Sequence, residues 1–422
     1  MEQFNQIIGQ ISDFVWGPYM LTFLVGTGVY LSLRLFFLQF TMLPFALKQA
    51  FMPHKKHGKK SDGSDHEGDV SQFGALMTAL SATIGTGNIA GVATAVVLGG
   101  PGAVFWMWIT AIFGMATKYA EAILAVKYRV KNERGEMSGG PMYYLEHGCK
   151  MKWLAIAFAL FGSIAAFGIG SSVQSNSVAL SVQSSLGIEP WITGVVLTVF
   201  TGLVILGGIK SIARASSVIV PVMAIVYVLG GLVIIFTNLD KLWPAVSLIF
   251  NDPFTGQAVA GGAIGAVIRY GVARGVFSNE AGMGSAPIAA AAAKTDHPGR
   301  QALISMTGTF LDTIIVCSIT GIVLVMGDMY MGGERGAALT VQTFNSLLPG
   351  FGGFIVTFGL IFFAYSTILG WCYYGEKCAT YLLGEKAVMP YRVIYIITVM
   401  LGTIATLDLV WSLADVFNGL MA

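Results

Sequence analysis

Long apolar runs separated by short polar stretches make up this chain. Runs of roughly 20 residues, the length a bilayer core demands, lie near 16–38, 73–98, 102–126, 153–182, 191–208, 217–237, 258–292, 302–326, 352–382 and 392–412. They predict ten membrane-spanning helices and an all-α polytopic membrane protein. The runs 153–182 and 352–382 are long enough to tilt strongly or project from the membrane. The run Phe14–Phe37 is too long for the apolar core of a cleavable leader, and no small-residue cleavage site precedes polar sequence, so it reads as a retained span.

Two runs interrupt themselves. The first reads Ser81-Ala82-Thr83-Ile84-Gly85-Thr86-Gly87-Asn88-Ile89-Ala90-Gly91, and the second runs from Gly275 through Phe277-Ser278-Asn279-Glu280-Ala281-Gly282-Met283-Gly284 to Pro287. Backbone left unpaired in lipid costs several kcal/mol per group, so a broken helix survives there only where it lines a cavity or is buried in protein. Matching breaks in two halves of a polytopic chain point to a substrate site near the midplane. The second break comes five spans after the first, and this odd offset inverts the second unit relative to the first. The predicted organisation is an extra N-terminal helix in 1–50, a cytoplasmic loop over 51–70, one repeat over 71–240 and an inverted repeat over 255–422. The second repeat holds four spans where symmetry asks for five.

Charge sets the orientation. Charged residues are 11% of the chain, hydrophobic ones 55%, and mean hydropathy is +0.72; a soluble domain carries about twice that charge. With the N-terminus outside, 18 of the 24 Lys and Arg fall in inside segments: Lys48, Lys55, Lys56, Lys59, Lys60, Lys127, Arg129, Lys131, Arg134, Lys150, Lys152, Lys210, Arg214, Lys294, Arg300, Lys377, Lys386 and Arg392. Only Lys241 and Arg335 fall outside; Arg34, Lys118, Arg269 and Arg274 lie in or beside spans. Loop Lys/Arg bias orients membrane proteins, so the N-terminus is expected outside. The stretch His54–Asp69, basic then acidic, reads as a mobile cytoplasmic loop. All five histidines lie outside the spans, and the four cysteines suggest neither a disulfide framework nor a transition-metal site.

Several intramembrane polar groups are candidates for chemistry. At the first break, the run from Gly85 to Gly91 superficially resembles a dinucleotide loop, but it lacks the preceding strand that such a loop needs. Close packing through small residues is one reading. The favoured one is an unwound stretch whose freed amides face an anion and whose carbonyls face a cation, with Thr83, Thr86 and Asn88 beside it. Glu280 suits a substrate ammonium, a proton, or pairing with Arg274 or Arg269. Asp312 and Glu121 are expected to pair with a nearby cation such as Lys118. Gly170 and Gln174 share a helix face; Gln174 either binds substrate or bonds between helices. Ser366 and Thr367 either back-bond to their own helix or ligate a hard cation, and Trp371 lies one turn on.

The run Gly99-Gly-Pro-Gly-Ala-Val-Phe105-Trp-Met-Trp108-Ile-Thr-Ala-Ile-Phe-Gly114 resembles the signature of the alanine or glycine:cation symporter family. So do Gly85-Thr-Gly-Asn-Ile-Ala-Gly91, Lys118-Tyr-Ala-Glu121, Ser278-Asn-Glu-Ala-Gly282 and Lys294-Thr-Asp-His-Pro-Gly299. The resemblance covers the whole chain. It implies a leucine-transporter-type fold of two inverted five-helix repeats behind one extra N-terminal helix, and Na⁺-driven uptake of alanine or glycine by alternating access. It places the substrate carboxylate at Thr83, Gly85, Thr86, Gly87, Asn88 and Gln174, and the amine at Phe277, Ser278 and Asn279. Gly170, Phe277, Met283 and Trp371 would shape a small pocket. Sodium would lie between backbone carbonyls near Ser81, Ala82, Thr83 and Ile84 and the hydroxyls of Ser366 and Thr367. Family members continue past Asn418-Gly-Leu-Met-Ala422 into one more span. The expected function is therefore a plasma-membrane symporter of a prokaryote, with Na⁺ as coupling ion and the bilayer as its surroundings. No nucleic acid or obligate protein partner is inferred. Proton coupling through Glu280 or Asp312 is the rival on the same fold. An intramembrane enzyme is the rival of another class, and it lacks a nucleophile with a base or a metal-ligand pair.

Overall fold

The computed structural model describes residues 10–11, 14–52, 66–254, 263–405 and 415–422. Lys55, Lys56, Lys59 and Lys60, most of the 51–70 loop, the start of the 258–292 run and the end of the 392–412 run lie outside these residues. Apart from one two-stranded hairpin, Val130–Lys131 against Met137–Ser138, the described regular structure is helical.

Each predicted span is met by a helix, and proline opens several of them. Pro18, Pro190 and Pro298 occupy first-turn positions, where the missing N–H costs nothing. Besides the short helices Leu38–Thr41, Leu43–Phe51 and Pro141–Tyr143, the described helices include α1 (Pro18–Arg34), α2 (Gln72–Thr83), α3 (Ala90–Gly99), α4 (Gly102–Lys127), α5 (Lys152–Ala165), α6 (Val173–Leu186), α7 (Pro190–Ile205), α8 (Gly208–Thr237), α9 (Leu239–Asn251), α10 (Ala263–Asn279), α11 (Ala286–Ala291), α12 (Pro298–Thr309), α13 (Ser318–Gly327), α14 (Gly336–Leu347), α15 (Gly352–Leu383) and α16 (Val388–Ile404). The pairs α2/α3 and α10/α11 are the two broken spans. The long spans α5–α6 and α12–α13 are each continuous through a π-helical segment, Ala166–Ser172 and Phe310–Cys317. Residues 415–421 are helical and dock on the N-terminal region, with Trp16 Nε1 donating to the Asp415 carbonyl at 3.0 Å.

The broken spans form the centre. α2 packs against α8, α15 and α11, while α10 packs against α3 and α4. Among the most apolar windows, 61% of residues in α12–α13 and in α15 are buried, against 33% in α8. The first two are thus core helices, and α8 faces lipid on one side. Large exposed apolar side chains, such as Phe200 and Leu203 on α7, Leu229 on α8 and Ile397 on α16, suit an outer surface that faces lipid. Small residues bring the inner helices together. A Cβ on Gly370 would lie 2.7 Å from Ser81 Oγ and the Ala82 nitrogen, and one on Gly114 2.8 Å from Ala281.

At the end bearing Lys294 the two broken spans are stitched together. Val70 and Ala293 form a parallel bridge, Lys294 N donates to the Val70 carbonyl at 2.8 Å, and Gln72 Nε2 donates to Thr295 Oγ1 at 3.0 Å. Arg129 Nη1 donates to the carbonyls of Ala291 and Ala293 at 2.9 and 2.7 Å. Burial pushes the Asp69 carboxyl above the usual carboxylate range, although it accepts the Met137 N–H at 2.8 Å.

Candidate functional site

The first break is an extended turn. Helix α2 ends at Thr83, Ile84 and Gly85 are extended, and Thr86–Asn88 make one 3₁₀ turn before α3. Gly85 lets neighbouring helices approach: a Cβ there would collide with Thr367 Oγ1 and stand 3.2 Å from Gln174 Oε1. Gly85 N donates to Asn88 Oδ1 at 2.9 Å, and Thr86 N donates to Gln174 Oε1 at 3.2 Å. Thr86 Oγ1 is buried and makes no hydrogen bond among the described residues. Thr83 Oγ1 back-bonds to the Ala79 and Leu80 carbonyls. Gln174 follows directly on the π-helical segment Ala166–Ser172, and its Nε2 donates to Ile169 O there at 3.0 Å.

At the second break α10 ends at Asn279, and the chain turns through left-handed geometry at Glu280 (φ 55°), Gly282 (φ 88°) and Gly284 (φ 76°). Glycine accepts this freely, whereas a side-chain-bearing residue pays for it in strain of about 1–2 kcal/mol. Glu280 is held by Ser285 Oγ, which donates to its Oε2 at 2.7 Å. Glu121 on α4 accepts the N–H groups of Gly282 and Gly284, at 3.3 and 3.0 Å. Asn279 is engaged locally, accepting from Ala281 N at 3.0 Å and donating to Thr313 Oγ1 at 3.2 Å. Leu24 of α1 lies against Gly282, so the first span backs the break as well as facing lipid.

Asp312, in the π-helical segment after α12, ties the two breaks together. It accepts Asn88 Nδ2 at 2.7 Å, Ser278 Oγ at 2.9 Å and Thr313 Oγ1 at 2.7 Å. Asp312 and Glu121 thus take their hydrogen bonds from the breaks, while Lys118, the expected partner, meets both through its charge and not through a hydrogen bond. Lys118 is buried, its Nζ makes no hydrogen bond among the described residues, and it lines a cavity of about 10 Å³ with Thr83 and Asn279. Glu280 bonds Ser285 and meets the charge of Lys118, while Arg274 Nη2 bonds Asp415 Oδ2 at 3.4 Å and its guanidinium stacks 5.5 Å from the Phe277 ring.

The cation candidates converge on the first break. Thr367 Oγ1 donates to the Ile84 carbonyl at 3.3 Å and to Phe363 O at 3.0 Å. Ser366 Oγ donates to Phe363 O at 2.9 Å, and Ser81 Oγ to Thr78 O at 2.8 Å. Back-bonding and proximity to the break thus coexist at Thr367. Ser81 and Ala82 meet α15 through Gly370. Phe277, Met283 and Trp371 are buried in one apolar cluster. Gly170 presses on Trp371 and Tyr395, and Gly87 lies against the Phe277 ring.

Two residues acquire roles that sequence reasoning missed. Glu121 serves as the acceptor for the second break's amides, and Asp312 as the junction of both. The available signal was their intramembrane charge, which marks a functional or paired group without saying which.

Comparison with known proteins gives the family and the fold. The model of the sodium:alanine symporter family matches residues 1–422, and the chain belongs to that family. It is 58% identical to the sodium/alanine symporter AgcS of Methanococcus maripaludis, over 99% of this chain and 92% of that protein. It is 55% identical to an uncharacterized transporter of Haemophilus influenzae, over 99% and 91%. The fold is similar to that of MhsT in complex with L-phenylalanine, with a TM-score of 0.58 at 16% identity, covering 84% of this chain and 88% of that one. The protein is a predominantly helical, multi-pass membrane transporter with a leucine-transporter-type fold, and not an enzyme.

Proposed function

We propose that this member of the sodium:alanine symporter family takes up a small neutral amino acid, alanine or glycine, together with Na⁺ by alternating access across a prokaryotic plasma membrane. The coupling ion and substrate follow the similarity to the archaeal sodium/alanine symporter. The observation that carries the reading at residue level is the convergence on the first break. There Thr367 Oγ1 meets the Ile84 carbonyl while Gln174 Oε1 lies on the Thr86 amide.

The carbonyl at Ile84, with those of Ser81–Thr83, and the hydroxyls of Ser366 and Thr367 supply neutral oxygens of the kind an unwound helix offers Na⁺. Gln174 and Asn88 occupy the donors of Thr86 and Gly85 with neutral amide oxygens; a substrate carboxylate is the stronger acceptor and displaces them. The ammonium then points toward Phe277, Ser278 and Asn279. Gly170, Phe277, Met283 and Trp371 bound the space for the side chain. In this reading the stitched end carrying Arg129 and Lys294 faces the cytoplasm, the N-terminus lies outside, and residues 71–240 and 255–422 are the inverted repeats.

The test is uptake of labelled alanine into proteoliposomes under an inward Na⁺ gradient alone and an inward H⁺ gradient alone. Accumulation driven only by Na⁺ is expected. Accumulation driven only by H⁺ moves the coupling to a proton carrier such as Glu280 or Asp312.

A further inference from the structure

Lys118 brings a positive charge into the interior between the two breaks. It lies nine residues before the end of α4 at Lys127 and is 3% exposed. Lysine in a membrane helix ordinarily extends its stem until the ammonium reaches the interface. Nine residues of helix measure about 14 Å, more than a lysine side chain spans, so this ammonium stays inside. Its Nζ makes no hydrogen bond among the described residues, and the space that it lines with Thr83, Asn279 and Ser305 is about 10 Å³. A single water needs about 10–15 Å³, so neither a chloride ion nor a substrate carboxylate fits there as its partner.

What surrounds the ammonium is negative. Glu121 on α4, Glu280 in the second break and Asp312 in the π-helical segment after α12 all act on it through their charge. Each of these acids is hydrogen-bonded elsewhere: Glu121 by Gly282 and Gly284, Glu280 by Ser285, Asp312 by Asn88 and Ser278. An ammonium without a hydrogen bond is costly in a low-dielectric interior. Lys118 therefore serves through its field, which reaches three acids on three elements, and not through a bond to one of them.

We infer that Lys118 is a tethered cation that stands in for a mobile one and so keeps a further Na⁺ out of the space between the breaks. The inference rests on the reading that Na⁺ is the coupling ion, and it adds what limits the number of ions. At the first break the oxygens of Ile84, Ser366 and Thr367 are neutral, so the three acids are the groups that would draw another cation. With Lys118 neutral, they lose the positive charge they share. Thr83, Asn279 and Ser305 then offer side-chain oxygens of the kind a hard cation takes. Lys118 is thus a positioning residue, acting on the ion count through the acids around it.

The test counts ions. ²²Na⁺ bound per protein is measured at equilibrium on the purified full-length protein in nanodiscs, in choline buffer with saturating alanine. Lys118→Gln removes the charge and offers an amide oxygen; it should bind one Na⁺ more per protein than the wild type, and so should Lys118→Ala. Lys118→Arg keeps the charge and should bind the wild-type number. A purely structural lysine gives no gain in any variant. Size-exclusion profiles and melting curves establish folding; should one neutral variant prove unfolded, the other decides. An unchanged or lower count in a folded neutral variant overturns the tethered cation, as does an equal gain in Lys118→Arg. Weakened alanine binding with an unchanged count also overturns it and makes Lys118 a substrate group. A wild type that binds no Na⁺ counts against sodium coupling alone, since a gain of one ion by the neutral variants would still uphold the role of Lys118.

Discussion

At the first break the freed backbone donors are met by neutral amide oxygens, Asn88 on Gly85 and Gln174 on Thr86. At the second they are met by a carboxylate, Glu121 on Gly282 and Gly284. Both arrangements satisfy backbone that lipid would leave unpaired, but they leave opposite electrostatic surroundings. A neutral acceptor can give way to a substrate carboxylate, whereas a resident carboxylate repels one. The second break also holds Glu280, and Asp312 lies between the two. The comparison thus explains why an amino acid would lie with its carboxylate at the first break and its ammonium toward the second.

Glu121→Ala should break the comparison most severely. It strips the acceptor from the buried Gly284 N–H and the part-buried Gly282 N–H, a buried one costing about 1–3 kcal/mol when left unsatisfied. We expect loss of uptake together with a clear fall in melting temperature of the detergent-solubilised protein, whatever the Na⁺ concentration. An unshifted melting curve would mean that the second break does not depend on this cap.

At the first break the expected damage is to binding rather than to the scaffold. Gln174→Leu keeps the approximate volume and removes the Nε2 donor that would turn to the substrate carboxylate once Oε1 leaves the Thr86 amide, a loss of about 1.5–3 kcal/mol for a bond to a charged group. Alanine affinity should fall about 10- to 150-fold, read by equilibrium binding with Na⁺ saturating. Affinity within twofold of wild type would detach Gln174 from the substrate.

Thr367→Ala sharpens the same edge toward the ion. Removing one hydroxyl oxygen should raise the Na⁺ concentration for half-maximal uptake by about tenfold, on the scale of a single hydrogen-bonding group. The alanine dependence at saturating Na⁺ should move far less. Equal shifts in both curves would show that the hydroxyl serves the pocket as a whole.

The smallest effect on alanine itself is expected from Met283→Ala on the apolar wall. One methylene of contact is worth about 1–3 kcal/mol, so strict rejection of leucine needs a clash. Trimming the wall should let valine or leucine compete with labelled alanine uptake while weakening alanine only modestly. An unchanged competition series across single substitutions of Met283, Phe277 and Trp371 would displace the pocket from this wall.

Much of this architecture was legible because lipid imposes strong rules on composition. A run such as Gly102–Lys127 must be helical to satisfy its own backbone, and glycines at the centre of 81–91 and 275–287 must mark exceptions. Helices outside those rules were not legible. α9 and α14 have 13 and 12 residues, too short to span a bilayer. The hairpin between α4 and α5 depends on pairing across a short turn, and no hydropathy pattern announces it.

What the sequence by itself determined is the set of spans, the position of both breaks and the family, because these follow from local apolarity and from long uninterrupted motifs. What only the tertiary structure decided is the partner of each buried polar group. Lys118 lies one helical turn from Glu121, yet that carboxylate turns to Gly282 and Gly284, 161 and 163 residues away. Asp312 reaches Asn88 across 224 residues and Ser278 across 34. A residue's type states that it needs a partner in a low-dielectric interior. Which partner it finds depends on which helices pack together, and that is a property of the whole bundle.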